Sequence, residues 1–456
     1  MTSFTDFSLP AALCDELARQ GITTPFPIQV ATLPDTLAGK DVLGRGRTGS
    51  GKTLAFALPL VTRLAATKPR RAVRVPRALV LCPTRELANQ IEATLAPLAR
   101  SLGLVTTVIY GGVTQRRQVS ALNGGVDVVI ACPGRLEDLL QQKALTLEAV
   151  EVSVIDEADH MAELGFLPGV RRIMKKTPRG SQRLLFSATL DHGVDELVDR
   201  FLDRPVTHVV ESPRSSGAAM THHVLAVPDP GEKAAVVARL ASGTGRRVLF
   251  TRTRLQAKKL AKILTAQGIP AVELHGDLAQ NVRERNLEAF TSGLVRVLVA
   301  TDVAARGIHV DGVELVVHVD PPAEHKSYLH RSGRTARAGR AGDVVTIMLP
   351  EQQGEVRDLL RLAKITAKHQ QVTVGDVVVT RLVGEVAPFV RPSRTTGSGQ
   401  ALRSARAPRV PGEEAPAVSS PAVGSPAAGS RSRRPTTPRP SSGSSGARPT
   451  RSHRRP

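Results

Sequence analysis

The chain has 456 residues, 41% of them hydrophobic, which is enough for two ordinary domains. It contains no run of about 18 apolar residues, and its first residues lack the build of a secretion signal, so we expect no membrane association. Three scattered cysteines argue against a disulfide framework or a zinc site and favour a cytoplasmic location, while the net charge of +21 indicates a polyanionic partner such as nucleic acid.

Short β-branched apolar runs alternate with helical stretches between about residues 40 and 350. Predicted strands of the first half are 42–44, 78–82, 105–110, 126–131, 152–155 and 184–187. Those of the second half are 248–251, 271–274, 297–300, 315–319 and 344–349. Apolar strands separated by helices are typical of parallel sheets with both faces covered. We therefore predict an α/β fold with two doubly wound parallel-sheet domains, at 1–210 and 220–385.

Two further segments differ in composition from these domains. Residues 211–219 are rich in Ser, Gly and Ala, which predicts a flexible linker. Residues 386–456 are rich in Arg, Pro, Ser and Gly, which predicts a disordered tail. From residue 391 onward this segment holds 13 arginines and only 2 acidic residues, so it carries about half of the net charge. We expect the tail to tether nucleic acid by charge, with a purely solubilising role as the alternative.

A phosphate-binding loop is indicated at residues 46–53, between a predicted strand and a predicted helix. Its glycines let backbone N–H groups face phosphates, Lys52 is expected to reach the β and γ oxygens, and Thr53 to bind Mg²⁺. The nucleotide-binding residues predicted here are Thr48, Gly49, Ser50, Gly51, Lys52 and Thr53.

An acidic turn follows the apolar strand at 152–155. The carboxyl ends of strands in an open α/β sheet line the crevice where ligands bind. Asp156 is therefore expected to hold Mg²⁺, and Glu157 to polarise the attacking water. A solvated acidic turn is the structural alternative.

The sequence Asp156-Glu157-Ala158-Asp159 resembles the motif that names the DEAD-box family, and the resemblance extends from about residue 4 to residue 339. Residues 21–29 resemble the family's Q motif. The resemblance implies that Gln29 reads the adenine edge and that Phe4 stacks on the base. It also implies tandem RecA-like domains, ATP and Mg²⁺.

Other short motifs follow in the family's order. The resemblance implies contacts with the RNA backbone for Pro83, Thr84, Arg85, Gly111, Gly112, Pro133, Gly134, Arg135, Arg283 and Thr301. It implies coupling of ATP binding to strand separation for Asp159, Ser187, Ala188, Thr189, His330 and Arg331. Cys132 departs from the family, which usually has Thr there, so a hydroxyl contact with phosphate is in doubt.

The last motif covers residues 330–339, and it implies that Arg334 and Arg337 are arginine fingers for the γ-phosphate. His309 is a second departure, because the family commonly has an Asp there that binds the ATP ribose. Loss of one neutral hydrogen bond costs about 0.5–1.5 kcal/mol, so we expect a raised KM for ATP with the chemistry intact.

The sequence thus predicts an ATP-dependent RNA helicase that separates short duplexes locally or remodels RNA–protein complexes. Three alternatives remain: an ATP-gated RNA clamp, a DNA helicase, and a non-enzymatic RNA chaperone that acts through the tail. The sequence leaves the protein partners open, with ribosomal or RNA-decay proteins as candidates.

Overall fold

The computed structural model describes residues 2–46, 49–67, 71–191, 193–210, 220–305, 312–336 and 341–391. The predicted linker at 211–219 and the chain from residue 392 lie outside these residues. The described residues form two lobes, each built on one seven-stranded sheet.

The first lobe contains strands in which every neighbouring pair is parallel. They are β1 (Val42–Arg45), β2 (Ala78–Leu81), β3 (Thr106–Ile109), β4 (Val128–Ala131), β5 (Val152–Asp156), β6 (Gln182–Ser187) and β7 (Val206–Val209). Their order in the sheet is β3-β4-β2-β5-β6-β1-β7.

Helices cover both faces of this sheet. They are α1 (Ala11–Arg19), α2 (Pro27–Leu37), α3 (Lys52–Ala66), α4 (Arg85–Ser101), α5 (Gln115–Asn123), α6 (Pro133–Gln141), α7 (Ala158–Glu163), α8 (Leu167–Met174) and α9 (Val194–Phe201), after a 3₁₀ turn at Phe4–Asp6. Val80 and Ile130 pack into the core on one face, and Leu79 and Val129 into the core on the other. Burial on both faces explains why these strands are continuously apolar.

The second lobe repeats this plan with parallel pairs throughout. Its strands are β8 (Met220–Ala226), β9 (Arg246–Phe250), β10 (Ala271–Leu274), β11 (Val297–Ala300), β12 (Val313–His318), β13 (Gly342–Met348) and β14 (Lys368–Gln371). Its helices are α10 (Pro230–Ala241), α11 (Arg254–Ala266), α12 (Gln280–Thr291), α13 (Asp302–Ala305), α14 (His325–Ser332), α15 (Gln353–Ala363) and α16 (Val377–Val383), with a 3₁₀ turn at Pro350–Gln352.

The strand order of the second sheet is β10-β11-β9-β12-β13-β8-β14, which is that of the first sheet with every number raised by seven. The predicted fold of two doubly wound parallel-sheet domains is therefore confirmed. The sequence did not predict β7, β8 and β14. The last of these reads Lys-His-Gln-Gln and lies at the edge of its sheet, largely exposed, so it has no apolar signal.

Residues 386–391, which the sequence analysis assigned to the tail, lie against the second lobe. The N–H of Ala387 donates to the carbonyl of Ser242 at 2.8 Å, and that of Val390 to Gly268 at 3.0 Å. Among the described residues, no helix is both long and apolar enough to cross a membrane.

Candidate functional site

The loop between β1 and α3 forms a cradle of backbone groups. The N–H of Gly46 donates to the carbonyl of Ser187 at 3.2 Å, which ties the loop to the end of β6. Gly49 and Gly51 both have φ +86°, a left-handed conformation that favours glycine. No side chain caps the start of α3, so the N–H groups of its first turn suit an anion.

Two side chains support phosphate binding in this cradle. Lys52 is 7% exposed, and its Nζ donates to the carbonyl of Gly46 at 3.1 Å. The Oγ of Ser50 is buried without a hydrogen-bond partner among the described residues. A buried hydroxyl is costly unless something satisfies it. The cradle therefore fits the phosphates of a nucleotide. Thr48, which was also predicted here, lies outside the described residues.

The predicted carboxylates stand at the end of β5, and both are buried. Glu157 has φ 51° and ψ 52°, a left-handed conformation that is uncommon for a residue with a side chain, and its N–H donates to Asp156 Oδ1 at 3.0 Å. The described residues contain no group of three or more His, Cys, Asp or Glu that could hold a metal ion. Asp156 and Thr53 carry the oxygen ligands that Mg²⁺ prefers, and this ion takes many of its other ligands from phosphate and water.

Electrostatics differentiate the two carboxylates. Burial raises the pKa of Asp156, although Lys52 acts in the opposite direction. Burial also acts to raise the pKa of Glu157, but a hydrogen bond from His160 and the charges of Lys52 and Arg334 outweigh it and hold that pKa below its usual range. The two carboxylates therefore lie in different electrostatic surroundings, with His160 and two cations acting on Glu157.

His160 is a functional candidate that the sequence analysis missed. Its Nδ1 lies 3.3 Å from Glu157 Oε2, and the side chain is buried. It follows the acidic motif directly, but nothing in the sequence pattern shows that a residue three positions later turns back to contact Glu157.

Four of the six residues predicted to couple ATP binding to strand separation, Asp159, Ser187, Ala188 and Thr189, lie in one hydrogen-bond network. Asp159 Oδ2 accepts hydrogen bonds from the N–H groups of Ala188 and Thr189 at 3.1 and 3.0 Å. The N–H of Asp159 donates to Ser187 Oγ at 3.2 Å, and Ser187 Oγ donates to the carbonyl of Thr189 at 2.6 Å. The ends of β5 and β6 are thereby joined to each other and, through Ser187, to the phosphate cradle.

Gln29 lies beside the same cradle and is fully buried. Its Oε1 accepts a hydrogen bond from the N–H of Phe26 at 2.8 Å, and its Nε2 donates to the carbonyl of Gly51 at 2.8 Å. Phe4 is 3% exposed and belongs to the core of the first lobe, whereas Phe26 is 54% exposed and packs against Gly51. The exposed aromatic ring next to the cradle is therefore that of Phe26, which the sequence analysis left without a role.

The predicted RNA-backbone residues of the first lobe lie at the carboxyl ends of β2, β3 and β4. Thr84 caps α4 by accepting a hydrogen bond from the N–H of Leu87 at 3.2 Å. Gly112 has φ +75° and lies under the guanidinium of Arg85. Arg135 donates to the carbonyl of Val113 at 3.4 Å. The remaining members of this group, Pro83, Gly111, Pro133 and Gly134, flank them in the same loops.

The corresponding residues of the second lobe face the first lobe. Arg283 donates to Glu86 Oε1 at 2.8 Å, and both side chains are nearly buried. Arg85 donates to Gln280 Oε1 at 3.2 Å. Thr301, at the end of β11, is 8% exposed. The structure thus brings basic groups of both lobes to one boundary, where two of them are already paired.

Helix α14 carries the other predicted residues of the second lobe. Arg331 forms an ion pair with Asp302, donates to the carbonyl of Asp320 at 2.8 Å and lies over the ring of Phe250 at 5.1 Å. His330 Nδ1 lies 3.8 Å from Glu163 of the first lobe. Arg334 follows on the same side, and its charge acts on Glu157. Arg337 and His309 lie outside the described residues.

Comparisons with known proteins identify these elements. The DEAD/DEAH box helicase model matches residues 26–197, and the helicase conserved C-terminal domain model matches residues 232–339. The ATP-dependent RNA helicase RhlB of Xanthomonas campestris pv. campestris (strain B100) is 39% identical over 405 residues, which cover 87% of this chain and 69% of that protein. The chain belongs to the DEAD/DEAH box helicase family.

Other DEAD-box proteins are also similar to this chain in sequence or in structure. The chloroplastic DEAD-box ATP-dependent RNA helicase 3B of Zea mays is 41% identical over 361 residues, which cover 77% of this chain and 48% of that protein. The structure of S. cerevisiae Dbp5 bound to RNA and ADP BeF3 is 25% identical and has a TM-score of 0.72, covering 84% of this chain and all of that one. Mss116 bound to ssRNA and UDP-BeF is 26% identical and has a TM-score of 0.71, covering 84% and 82%. These similarities confirm the predicted tandem RecA-like domains.

Proposed function

We propose that this DEAD-box protein is an ATP-dependent RNA helicase that separates short RNA duplexes locally or remodels RNA–protein complexes. The observation that carries the proposal is that the two lobes meet at the site, where His330 Nδ1 of the second lobe lies 3.8 Å from Glu163 of α7, the helix that follows Glu157. The reaction centre is therefore shared between two lobes, and hydrolysis can depend on how they are held together.

The nucleotide is proposed to bind in the cradle of the first lobe. The N–H groups of residues 49–53 and the ammonium of Lys52 hold its phosphates, and the Ser50 hydroxyl gains a partner. Thr53 and Asp156 would hold Mg²⁺, which when bound would neutralise charge at the phosphates. Gln29, Phe4 and His309 are proposed to contact the base and ribose.

Catalysis is assigned to four side chains. Glu157 orients and polarises the attacking water. Lys52, Arg334 and Arg337 stabilise the charge that develops on the transferred phosphoryl group. An arginine finger contributes about 10³–10⁵ in rate, so hydrolysis should be slow until the lobes are held together.

RNA is proposed to run along the loops at the carboxyl ends of both sheets and to contact the RNA-backbone residues named above. Contacts with phosphate and sugar position a strand without reading its sequence. A base-pair step costs about 1.4 kcal/mol in DNA, and if RNA is comparable, one closure of the lobes opens only a few pairs. Short duplexes should therefore be unwound and long ones left intact.

The test is ATP hydrolysis with no nucleic acid, with RNA and with matched single-stranded DNA, using Glu157→Gln as the control. Stimulation by RNA alone, lost in the variant, is the expected result. Equal stimulation by DNA would replace the proposal with a general helicase. No hydrolysis under any condition would replace it with an ATP-gated clamp.

The same proposal includes domain limits at 1–210, 211–219, 220–385 and 386–456, a cytoplasmic location, and protein partners from the ribosome or RNA decay.

The arginine-rich tail of the chain is proposed to tether RNA by charge. Deleting residues 392–456 should weaken RNA binding and flatten its dependence on salt, because fewer counterions are released on binding. Unchanged affinity at every salt concentration would leave the tail a solubilising extension.

A further inference from the structure

Two of the three cysteines, Cys82 and Cys132, directly follow the carboxyl ends of the neighbouring strands β2 and β4. In the parallel pairing of β2 with β4, Leu81 is opposite Ala131. The N–H of Cys82 donates to the carbonyl of Ala131 at 3.0 Å, which extends the ladder by one residue. Cys82 is therefore opposite Cys132.

The two side chains also point to the same face of the sheet. Cys82 belongs to the core cluster that contains Val80 and Ile130, and Cys132 packs against that cluster. The Sγ of Cys82 lies 3.8 Å from the carbonyl oxygen of Ala131, the residue directly before Cys132. Neighbouring strands lie about 4.8 Å apart, and disulfides join Cα atoms about 4.4–6.8 Å apart. The backbone spacing thus suits a covalent bond between them.

The two thiols differ in access. Cys82 is completely buried, whereas Cys132 is partly exposed. Burial raises the pKa of the Cys82 thiol, so this group is protonated and shielded. An oxidant from solution therefore reaches Cys132 first, and Cys82 lies directly behind it.

We propose that Cys82 and Cys132 form a redox-sensitive thiol pair that hydrogen peroxide converts into a disulfide. Peroxide oxidises the Cys132 thiol to a sulfenic acid and is reduced to water. The Cys82 sulfur then attacks the Cys132 sulfur, the S–O bond breaks, and the Cys82 proton leaves with the hydroxyl as a second water. A dithiol reductant reverses the change by thiol–disulfide exchange.

The position of the pair indicates what the disulfide would do. Cys82 directly precedes the loop Pro83-Thr84-Arg85, and Cys132 directly precedes Pro133-Gly134-Arg135. A disulfide holds its sulfurs at about 2.05 Å within a narrow range of dihedral angles, so it restrains the two loops that begin at the next residues. This part rests on the proposed function, in which the two loops contact RNA. Oxidation should then lower RNA-stimulated hydrolysis while ATP binding and unstimulated hydrolysis are unchanged.

The experiment treats the full-length protein with hydrogen peroxide and maps disulfides by mass spectrometry before and after a dithiol reductant. RNA-stimulated and unstimulated hydrolysis are measured on the same samples. The third cysteine of the chain, Cys14, lies in α1, and Cys14→Ser is the matched control for Cys132→Ser.

The expected result is a bond between residues 82 and 132 in the wild type and in Cys14→Ser. The RNA-stimulated rate should fall by roughly tenfold or more, since small misplacements are costly in catalysis, and recover on reduction. Cys132→Ser should keep its stimulated rate under the same treatment. Failure to form the 82–132 bond, or its formation without change in the stimulated rate, would overturn the inference. Absence of RNA stimulation in the untreated protein would instead overturn the proposed function. Whether the disulfide between residues 82 and 132 forms would then be the remaining test of the thiol pair.

Discussion

The backbone conformation of Glu157 is enforced by its neighbours rather than by the residue's own conformational preference. Its left-handed backbone conformation costs on the order of 1–3 kcal/mol, and such conformations persist only where the surroundings enforce them. The His160 side chain, three residues later, binds the carboxylate from within the first lobe. We therefore regard His160 as a positioning residue for the proposed general base.

Replacing His160 with Phe should lower kcat for ATP hydrolysis about 10- to 100-fold, the usual cost of losing a partner that orients a catalytic group. KM for ATP should change little, because His160 is not part of the phosphate cradle. Steady-state kinetics with RNA present measures both quantities. His160→Asn, which keeps a hydrogen-bonding group, should recover part of kcat, and His369→Phe on the exposed strand β14 is the control. A change in KM as large as the change in kcat would indicate a merely structural role for His160.

Individual residues also show which parts of the site can be predicted from sequence patterns. The motifs predicted Lys52, Asp156 and the network around Asp159 because each reflects a local rule about strand ends and loops. Phe26 and His160 were missed because their relevance depends on which way a side chain turns in three dimensions. The assignments of Gln29 and Phe4 to the base stay predictions, since one is bound to the cradle and the other is in the core.

At the scale of elements, the turn after β3 supports the loop after β2. A Cβ on Gly112 would lie 2.2 Å from Arg85 Nη1, and its φ of +75° is unfavourable for any other residue. Gly112→Ala should therefore displace Arg85 and weaken RNA binding. Gly111→Ala is the matched comparison, because a Cβ there would meet no atom within 4 Å. RNA affinity measured by anisotropy should fall more for Gly112→Ala, and equal losses would argue against the displacement of Arg85.

A buried arginine ties three elements of the second lobe together. Arg247 is 2% exposed and donates to the carbonyls of Leu240, Gly245 and Val383 at 2.6, 2.6 and 2.5 Å. Burial lowers its pKa. These bonds link β9 to the end of α10 and to α16.

Arg247→Met should destabilise the second lobe by about 2–4 kcal/mol, because buried carbonyls lose their partners. Denaturant unfolding monitored in the second lobe measures the loss. Arg246→Met, at the partly exposed neighbouring position, should stay within about 0.5 kcal/mol of the wild type. A loss for Arg247→Met no larger than for Arg246→Met would show that the three carbonyls find other partners.

The three strands that sequence analysis did not predict contain exposed residues that weaken their apolar pattern. β7 and β14 are at the edges of their sheets, whereas β8 lies inside its sheet but begins with Met220, Thr221 and His222, which are partly or fully exposed. Prediction from apolar runs depends on burial, which these stretches lack. The other eleven strands were predicted, with ends shifted by up to two residues.

At the scale of the whole molecule, the ion pairs Glu86–Arg283 and Asp191–Lys326 both join the lobes, but in different surroundings. Glu86 and Arg283 are nearly buried, whereas Asp191, which pairs with Lys326 at 2.8 Å, is 56% exposed. Exposed pairs contribute about 0–1 kcal/mol, while breaking a buried pair costs about 3–5 kcal/mol. The buried pair should therefore dominate how the lobes are held.

A double-mutant cycle with Glu86→Gln and Arg283→Gln should give a coupling energy of about 1–3 kcal/mol for the closed arrangement. The measured quantity is the fraction of molecules with the lobes together, from energy transfer between fluorophores on the two lobes. The same cycle for Asp191→Asn and Lys326→Gln should give less than about 1 kcal/mol. Equal coupling in the two cycles would refute the dependence on burial.

The matching strand orders make the two lobes structural copies of one plan that differ in detail. In the first copy, the turn after the opening strand ends on Gly51 and leaves the helix start open to an anion. In the second copy, the equivalent turn ends on Asp229, whose carboxylate accepts the N–H groups of Gly231 and Glu232 at 2.7 and 2.9 Å. The helix start of the second lobe is thus occupied by a carboxylate of the chain itself, whereas that of the first lobe is open to an anion from solution. Equilibrium titration should accordingly saturate at one nucleotide per chain.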